Sequence, residues 1–307
     1  MKAGLANNLY KLIRLYTFYS PIKKGKYRLY QIVMNSLGHL PENSVIAARD
    51  GRKFAARMET RMYDMVYFFG EYEDYVTEVI ETLTLEGDIS FDVGANFGWF
   101  STLLLNAEKK GKKIKELHAF EPIPAVFENL CENLALAGSP ANAFPNNLAL
   151  TDEITETKIY TVDRLGTGHT SLVKKADEKI TETPIRTTTL DAYQSEKNIE
   201  QVDFIKVDIE GSELKFLRGA SRIFKQERPP VMVMEMALAT TRPYGYLPGD
   251  LIKYIGGQAA YEFYALDEVN RCLRPIDGFA DDDIGANVLC FPANGERERL
   301  KGLKIVK

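Results

Sequence analysis

Two carboxylates and a pair of glycines in this 307-residue chain have the types and spacing of a nucleoside grip. In Phe91-Asp92-Val93-Gly94-Ala95-Asn96-Phe97-Gly98 a short apolar run ends in an acid and then turns. Gly94 removes a β-carbon where the backbone must turn tightly, and Gly98 permits close approach of a ligand or helix. A carboxylate at the carboxyl edge of a strand suits the ammonium of an amino-acid moiety, and it would repel a pyrophosphate. Further on, His118-Ala119-Phe120-Glu121-Pro122 ends a second apolar run with another acid, Glu121. An acid some twenty or more residues after a glycine turn is placed to accept hydrogen bonds from both ribose hydroxyls. Together they point to an adenosine-bearing ligand gripped by Asp92, Gly94, Ala95, Asn96, Gly98 and Glu121. Asn147 and Leu148, after a third strand, would border the adenine ring. NAD is the rival ligand, disfavoured because the loop reads Gly-Ala-Asn-Phe-Gly rather than Gly-x-Gly-x-x-Gly.

A second acidic group, Asp208, Glu210 and Glu213, follows the run Phe204–Val207. Strand alternation would place Asp208 and Glu210 on one side, with Glu213 in the first turn of a helix, where the dipole favours an acid. Lys206 would neutralise a neighbour. Glu235 ends another apolar run. Carboxylates in such numbers could hold Mg²⁺, an option the sequence does not favour.

The elements that must position these groups alternate. Strands are expected at Ile89–Val93, Ile114–Phe120, Ala143–Asn147, Phe204–Val207, Val231–Met234, Tyr261–Leu266 and Asn287–Phe291, with further strand-like segments at Lys158–Val162 and Ile185–Thr189. Helices are expected at Glu73–Leu85, Phe97–Lys109, Pro124–Ala137 and Ser212–Lys225. This alternation predicts an α/β fold with a doubly wound, mostly parallel, seven-stranded sheet. Before it lie a helix carrying Leu5, Leu9, Leu12, Ile13 and Tyr16 and a hairpin turning at Asp50-Gly51. The expected division is a helical N-terminal extension with a hairpin, residues 1–70, and a main domain, residues 71–307.

Composition excludes some functions. Thirty-nine basic against 43 acidic residues give a net charge of −4, which disfavours a duplex-DNA partner. Three scattered cysteines and three scattered histidines indicate neither a disulfide framework nor a metal centre. No apolar run is long enough for a membrane span and no leader pattern opens the chain, so a cytoplasmic location is expected. Seven Lys and Arg precede the first acid, Glu42. Such a helix is expected either to cap the main domain or to touch an anionic membrane surface or acidic partner.

From about Tyr72 to Phe291 the chain resembles the FkbM-type methyltransferases. The resemblance rests most on Val202-Asp203-Phe204-Ile205-Lys206-Val207-Asp208-Ile209-Glu210-Gly211-Ser212-Glu213 and on Leu217-Arg218-Gly219-Ala220. It is supported by Gly70–Glu73, Asp92–Asn96, Phe120–Pro122, Thr189–Asp191, Val233–Glu235 and Asn287–Leu289. It implies a Rossmann-like domain using S-adenosylmethionine to methylate a hydroxyl of a sugar, a glycan or glycolipid, or a secondary metabolite. It also implies that Tyr72 and Glu73 close over the cofactor. Asp208, or else Glu235, would take the acceptor's proton, with Glu210 beside it. A cofactor-binding module without catalysis and an NAD-dependent oxidoreductase remain the alternatives. His169, in a Gly- and Thr-rich loop, could reach an acceptor. The residues before Gly70 match nothing in that family.

Overall fold

The computed structural model describes residues 2–20, 22, 24–37, 44–57, 61–138, 141–162, 170–173 and 180–306. It divides into two compact units, Met1–Asp74 and Tyr75–Lys307. The fold class is the one the sequence predicts.

The first unit begins with α1 (Lys2–Arg14), a π-helical turn (Leu15–Tyr19) and α2 (Lys26–Leu37). An antiparallel hairpin of β1 (Ser44–Ala47) and β2 (Lys53–Ala56) leads to α3 (Arg61–Phe69). Tyr10, Ile13, Phe18, Tyr30 and Phe68 are buried, and the Phe68 ring lies 6.0 Å from Tyr10 and 5.7 Å from Tyr30. The Arg14 guanidinium sits 4.7 Å over Phe18 and 4.5 Å over Tyr67, and it donates to the Ala47 carbonyl at 3.2 Å. Leu9 and Leu12 of the expected amphipathic helix face outward. Tyr10 and Ile13 supply the inward face.

The second unit follows α4 (Asp74–Leu83) with alternating β3 (Ile89–Val93), α5 (Trp99–Asn106), β4 (Glu116–Phe120), α6 (Pro124–Leu136) and β5 (Ala143–Asn146). A side sheet then forms from β6 (Ala149–Leu150), β7 (Glu156–Val162), β8 (Thr170–Ser171) and β9 (Ile180–Thr188), in the order β6-β9-β7-β8. The chain returns through α7 (Leu190–Lys197), β10 (Phe204–Val207), α8 (Glu213–Arg218), β11 (Val231–Ala237), α9 (Leu238–Thr241) and α10 (Pro248–Gln258). It closes with β12 (Tyr261–Asp267), β13 (Cys272–Ile276) and β14 (Gly285–Pro292).

The main sheet has eight strands rather than seven, in the order β13-β12-β14-β11-β10-β3-β4-β5. The additional strand is β13, an edge strand in a hairpin with β12. Pro275 interrupts its apolar pattern, and proline belongs on an edge, where its missing N–H breaks no ladder. Strands β11, β10, β3, β4 and β5 run parallel, whereas β14, β12 and β13 are antiparallel to their neighbours. The parallel centre is covered on both faces, so β3 and β10 are buried at every residue. One face sends Phe91, Val93, Ile205, Val207, Met232 and Met234 into a core with Leu190 of α7, Phe216 of α8 and Leu251 of α10. The other face carries Asp92 and Lys206 under α5. The single helix expected over Ser212–Lys225 is instead two pieces, broken after Arg218, with a short 3₁₀ turn at Ile223–Lys225. Gly219 there lies so near the Thr151 carbonyl that a β-carbon would come within 2.0 Å of it.

Among the described residues no helix is long and apolar enough to cross a membrane.

Candidate active site at the carboxyl ends of the central strands

The loop after β3 is locked by backbone geometry. Gly94 adopts φ +84°, and a β-carbon on it would lie 1.9 Å from the Asp208 carbonyl oxygen. Only glycine lets the β3 and β10 ends approach this closely. Gly94 and Ala95 both donate their N–H groups to the Phe120 carbonyl, at 3.1 and 2.9 Å. Asn96 stands at φ 50°, and its side-chain oxygen accepts from the Phe97 N–H at 2.8 Å. Gly98 precedes α5 at φ +92°, against Leu130.

Asp92 is fully buried. Its Oδ2 accepts from Ser101 Oγ of α5 at 2.6 Å, while Oδ1 has no partner. Burial pushes its carboxyl above the usual range, opposed by the Ser101 hydrogen bond and the nearby Lys206 charge. Glu121 is also buried, and each oxygen accepts one backbone N–H: Oε2 from Asn96 at 3.1 Å and Oε1 from Ile123 at 2.9 Å. Burial raises it to about 7 against those two hydrogen bonds. The structure thus ties Glu121 directly to the glycine loop.

Asn147 supports the same segment. Its amide nitrogen donates to the Glu121 and Pro122 carbonyls at 3.0 and 2.9 Å. Both amide protons are therefore engaged by backbone, and only the side-chain oxygen remains for an adenine edge. Leu148 packs against the core.

Across the sheet, Lys206 lies in register with Asp92 on the neighbouring strand. Its ammonium is 2.6 Å from Asp208 Oδ2 and 4.8 Å over the Phe100 ring. The lysine side chain is 1% exposed and the Asp208 side chain 28%. Strand alternation does not govern Asp208 and Glu210: β10 ends at Val207, and Glu210 turns at φ 54°. Glu213 holds this turn from inside, with Oε1 accepting from Ile209 N at 3.2 Å and Gly211 N at 3.1 Å. Its Oε2 accepts from the Tyr246 hydroxyl at 3.0 Å, and burial raises the carboxyl to about 7.

Glu235, within β11, is half-buried with Oε2 unpartnered. Burial, then the charges of Asp208, Glu210 and Glu213, push its carboxyl up to about 9. Burial and these acids thus favour its protonated form, the state in which a carboxyl donates a hydrogen bond.

Tyr72 and Glu73 belong to the first unit, in a turn where Glu73 takes φ 45°. His169 lies outside the described residues. Among those residues no group of three or more His, Cys, Asp or Glu is arranged to hold a metal. His118 is architectural, stacked between Phe91 and Phe144 and bonded to Tyr193 and Glu116. Thr189–Asp191 and Leu217–Ala220 also hold the fold: Asp191 donates its N–H to the Gly219 carbonyl and caps Ser221 and Arg222 with its carboxylate.

Sequence reasoning passes over Tyr244. Its hydroxyl accepts from Leu172 N at 2.7 Å and lies 3.1 Å from Ser171 Oγ and 3.0 Å from Ser212 Oγ. It joins the side sheet to the Asp208–Glu213 turn. Tyr244-Gly245-Tyr246 is the available signal, two aromatics around a turn glycine.

Comparison with known proteins gives the same grouping. Residues 92–263 match the family model described as the methyltransferase FkbM domain. A relative named methyltransferase sdnD, from Sordaria araneosa, is 26% identical over 185 residues, 51% of this chain and 68% of that protein. The crystal structure of an FkbM methyltransferase from Methylobacillus flagellatus KT is 18% identical with a TM-score of 0.42. It aligns with 74% of this chain, which spans about half of that structure (52%). M. jannaschii TYW2 in complex with AdoMet aligns at 15% identity and TM-score 0.40, covering 82% of this chain and 86% of its own. With a family match that takes in the glycine loop, Glu121, the Asp208–Glu213 turn and Glu235, this chain belongs to the FkbM methyltransferase family.

Proposed function

We propose that the second unit binds S-adenosylmethionine across the ends of β3 and β4 and transfers its methyl group to a hydroxyl oxygen. The acceptor class we favour is a sugar, a glycan or glycolipid unit, or a hydroxylated secondary metabolite. The observation that carries the reading is the unpartnered Asp92 Oδ1, a buried acceptor that an ammonium group would satisfy, directly or through one water. The ribose fits Glu121, where one backbone hydrogen bond on each oxygen fixes the carboxyl and leaves each a second lone pair. Ribose hydroxyls there would also favour the ionised form that burial now disfavours. The Asn147 oxygen and Leu148 would border the base, and the backbone of Gly94–Gly98 would line the rest.

When bound, the cofactor supplies an electrophilic methyl on a positively charged sulfur. A neutral alcohol is a weak nucleophile, so a residue must take its proton as the oxygen–carbon bond forms and the carbon–sulfur pair returns to sulfur. Asp208 suits that role because Lys206 fixes one oxygen while the side chain stays partly open to an incoming hydroxyl. Glu235 keeps its proton and donates a hydrogen bond to a second acceptor oxygen, a contact suited to polyhydroxylated molecules. Glu213 and Tyr246 hold the turn that carries Asp208. A general base contributes about 10²–10⁴-fold, and alignment of the reacting atoms supplies the larger share.

Calorimetry on the intact protein tests the first half. Micromolar-range binding of S-adenosylmethionine or its demethylated product, lost in Asp92→Ala and Glu121→Ala, is expected; absence of binding to the intact chain refutes the reading. Labelled methyl donor with a panel of sugar alcohols tests the second half. Turnover that Asp208→Asn lowers by about 10²-fold or more supports it, and turnover unchanged in that variant removes Asp208 from its role.

A further inference from the structure

We propose that the first unit docks on an anionic lipid surface through an apolar ridge along its first helical segment. The ridge consists of Leu9, Leu12, Leu15, Tyr19 and Ile22, whose exposures are 40, 64, 60, 66 and 60%. Leucines spaced at every third residue keep one side of a helix apolar. The opposite side of the same segment is apolar too, but Tyr10, Ile13 and Phe18 are buried within the unit, Tyr10 against Phe68. Folding of the unit therefore uses one side, and the other, together with Ile22 just beyond the helix end, presents five large apolar side chains to solvent. Contiguous exposure of this kind marks an interaction surface.

Charge selects the occupant. Residues 1–41 contain seven Lys and Arg and no Asp or Glu. Lys11, Lys24 and Arg28 are exposed. The Tyr16 hydroxyl bonds the Lys24 carbonyl at 3.0 Å, which fixes that segment next to the ridge. Lys26 donates to the carbonyls of Thr17 and Ser20 at 2.7 and 2.6 Å, and Arg14 to that of Ala47. These carbonyl partners are neutral, so they leave the charge of both cations uncancelled.

A second copy of the chain would bring two such cationic surfaces together, which like-charge repulsion opposes. A nucleic acid offers phosphates but nothing to cover five aliphatic and aromatic side chains. An anionic bilayer satisfies both demands, with acyl chains for the ridge and headgroups for the lysines and arginines.

Flotation of the full chain with vesicles tests this. Capture by phosphatidylcholine vesicles containing about a third phosphatidylglycerol, at least about 10-fold above capture by phosphatidylcholine alone, is expected. Leu12→Ser with Tyr19→Ser, and separately Lys11→Glu with Lys24→Glu, should each lower capture about 10-fold while the circular dichroism spectrum stays unchanged. No capture by the anionic vesicles, or capture indifferent to Leu12→Ser with Tyr19→Ser, overturns the proposal. A concentration-dependent dimer that the same serine pair disperses would assign the ridge to self-association and overturn it equally. None of these residues belongs to the methyl-transfer site, so cofactor calorimetry is read independently of the vesicle result.

Discussion

The Lys206 ammonium lies 2.6 Å from Asp208 Oδ2 and in register with the buried Asp92 on the adjacent strand. One interior cation thus balances two carboxylates, one beneath the loop after β3 and one at the end of β10. Removing it leaves both acids without their counter-charge. Lys206→Met is expected to cost about 3–5 kcal/mol of stability. Adding Asp92→Asn should recover part of that loss. Urea denaturation of the single and double variants measures both; a Lys206→Met protein as stable as the parent would contradict the arrangement.

Gly94 and Gly87 share nearly the same backbone angle, φ +84°, but differ in surroundings. At Gly94 a β-carbon meets the Asp208 carbonyl oxygen, whereas at Gly87 nothing lies within 4 Å. Gly87→Ala is expected to cost only the left-handed backbone penalty, about 1–2 kcal/mol. Gly94→Ala should exceed about 4 kcal/mol or prevent folding, because backbone atoms cannot yield as a flexible side chain can. Comparable melting temperatures for the two variants would show that the β3 and β10 ends are farther apart.

The acid cluster around Glu235 predicts how stability depends on pH. Its folded carboxyl is raised to about 9, far above the ordinary 4.5 of an unfolded glutamate. Between those values the folded state holds a proton that the unfolded state releases, so stability falls as pH rises through that window. The contribution is complete below about 4.5 and lost above about 9. Glu235→Gln imitates the protonated acid, so the variant should match the parent at low pH and melt higher near pH 9. A parent whose melting temperature rises steadily from pH 5 to 9, with the variant tracking it, contradicts the assignment.

Far from the site, Arg299 and Asp88 form a buried two-pronged pair, with both contacts at 2.7 Å. Arg299 Nη1 also donates to the Leu83 carbonyl at 2.8 Å, so it joins the end of α4 to the approach to β3. Arg299→Met should destabilise the second unit by about 3–5 kcal/mol. Methyl transfer per folded molecule should be unaffected well below the new melting point. Thermal melts paired with activity assays separate the two effects.

The central parallel strands and the glycine loop are legible in the sequence because they are local patterns. Short hydrophobic stretches at Ile89–Val93 and Phe204–Val207 mark the strands and acids mark their open edge, whereas the burial of Ser90, Asp92 and Lys206 within them is not written in that pattern. Helices α7 and α10 escape such a reading: Leu190–Lys197 is short and mostly polar, and Pro248–Gln258 carries a proline and three glycines. The break at Gly219 depends on Thr151, distant in the chain, and no local pattern encodes it. The same holds for Glu235, whose carboxyl is raised by burial and then by Asp208, Glu210 and Glu213, all distant in the chain. Which side of the first helix is buried is likewise unreadable, since Leu9, Leu12 and Ile13 are equivalent as letters and only packing within the folded unit distinguishes them.

The Tyr244 hydroxyl constrains redesign. It fastens Ser171 and Leu172 of the side sheet to Ser212, beside the turn that carries Asp208. Segment exchange between relatives, a common route to new selectivity, would treat residues 149–188 as an interchangeable cassette. Here the cassette's anchor lies some seventy positions downstream, outside any such graft, so a transplanted side sheet must bring its own matching latch or Tyr244 must be recoded with it.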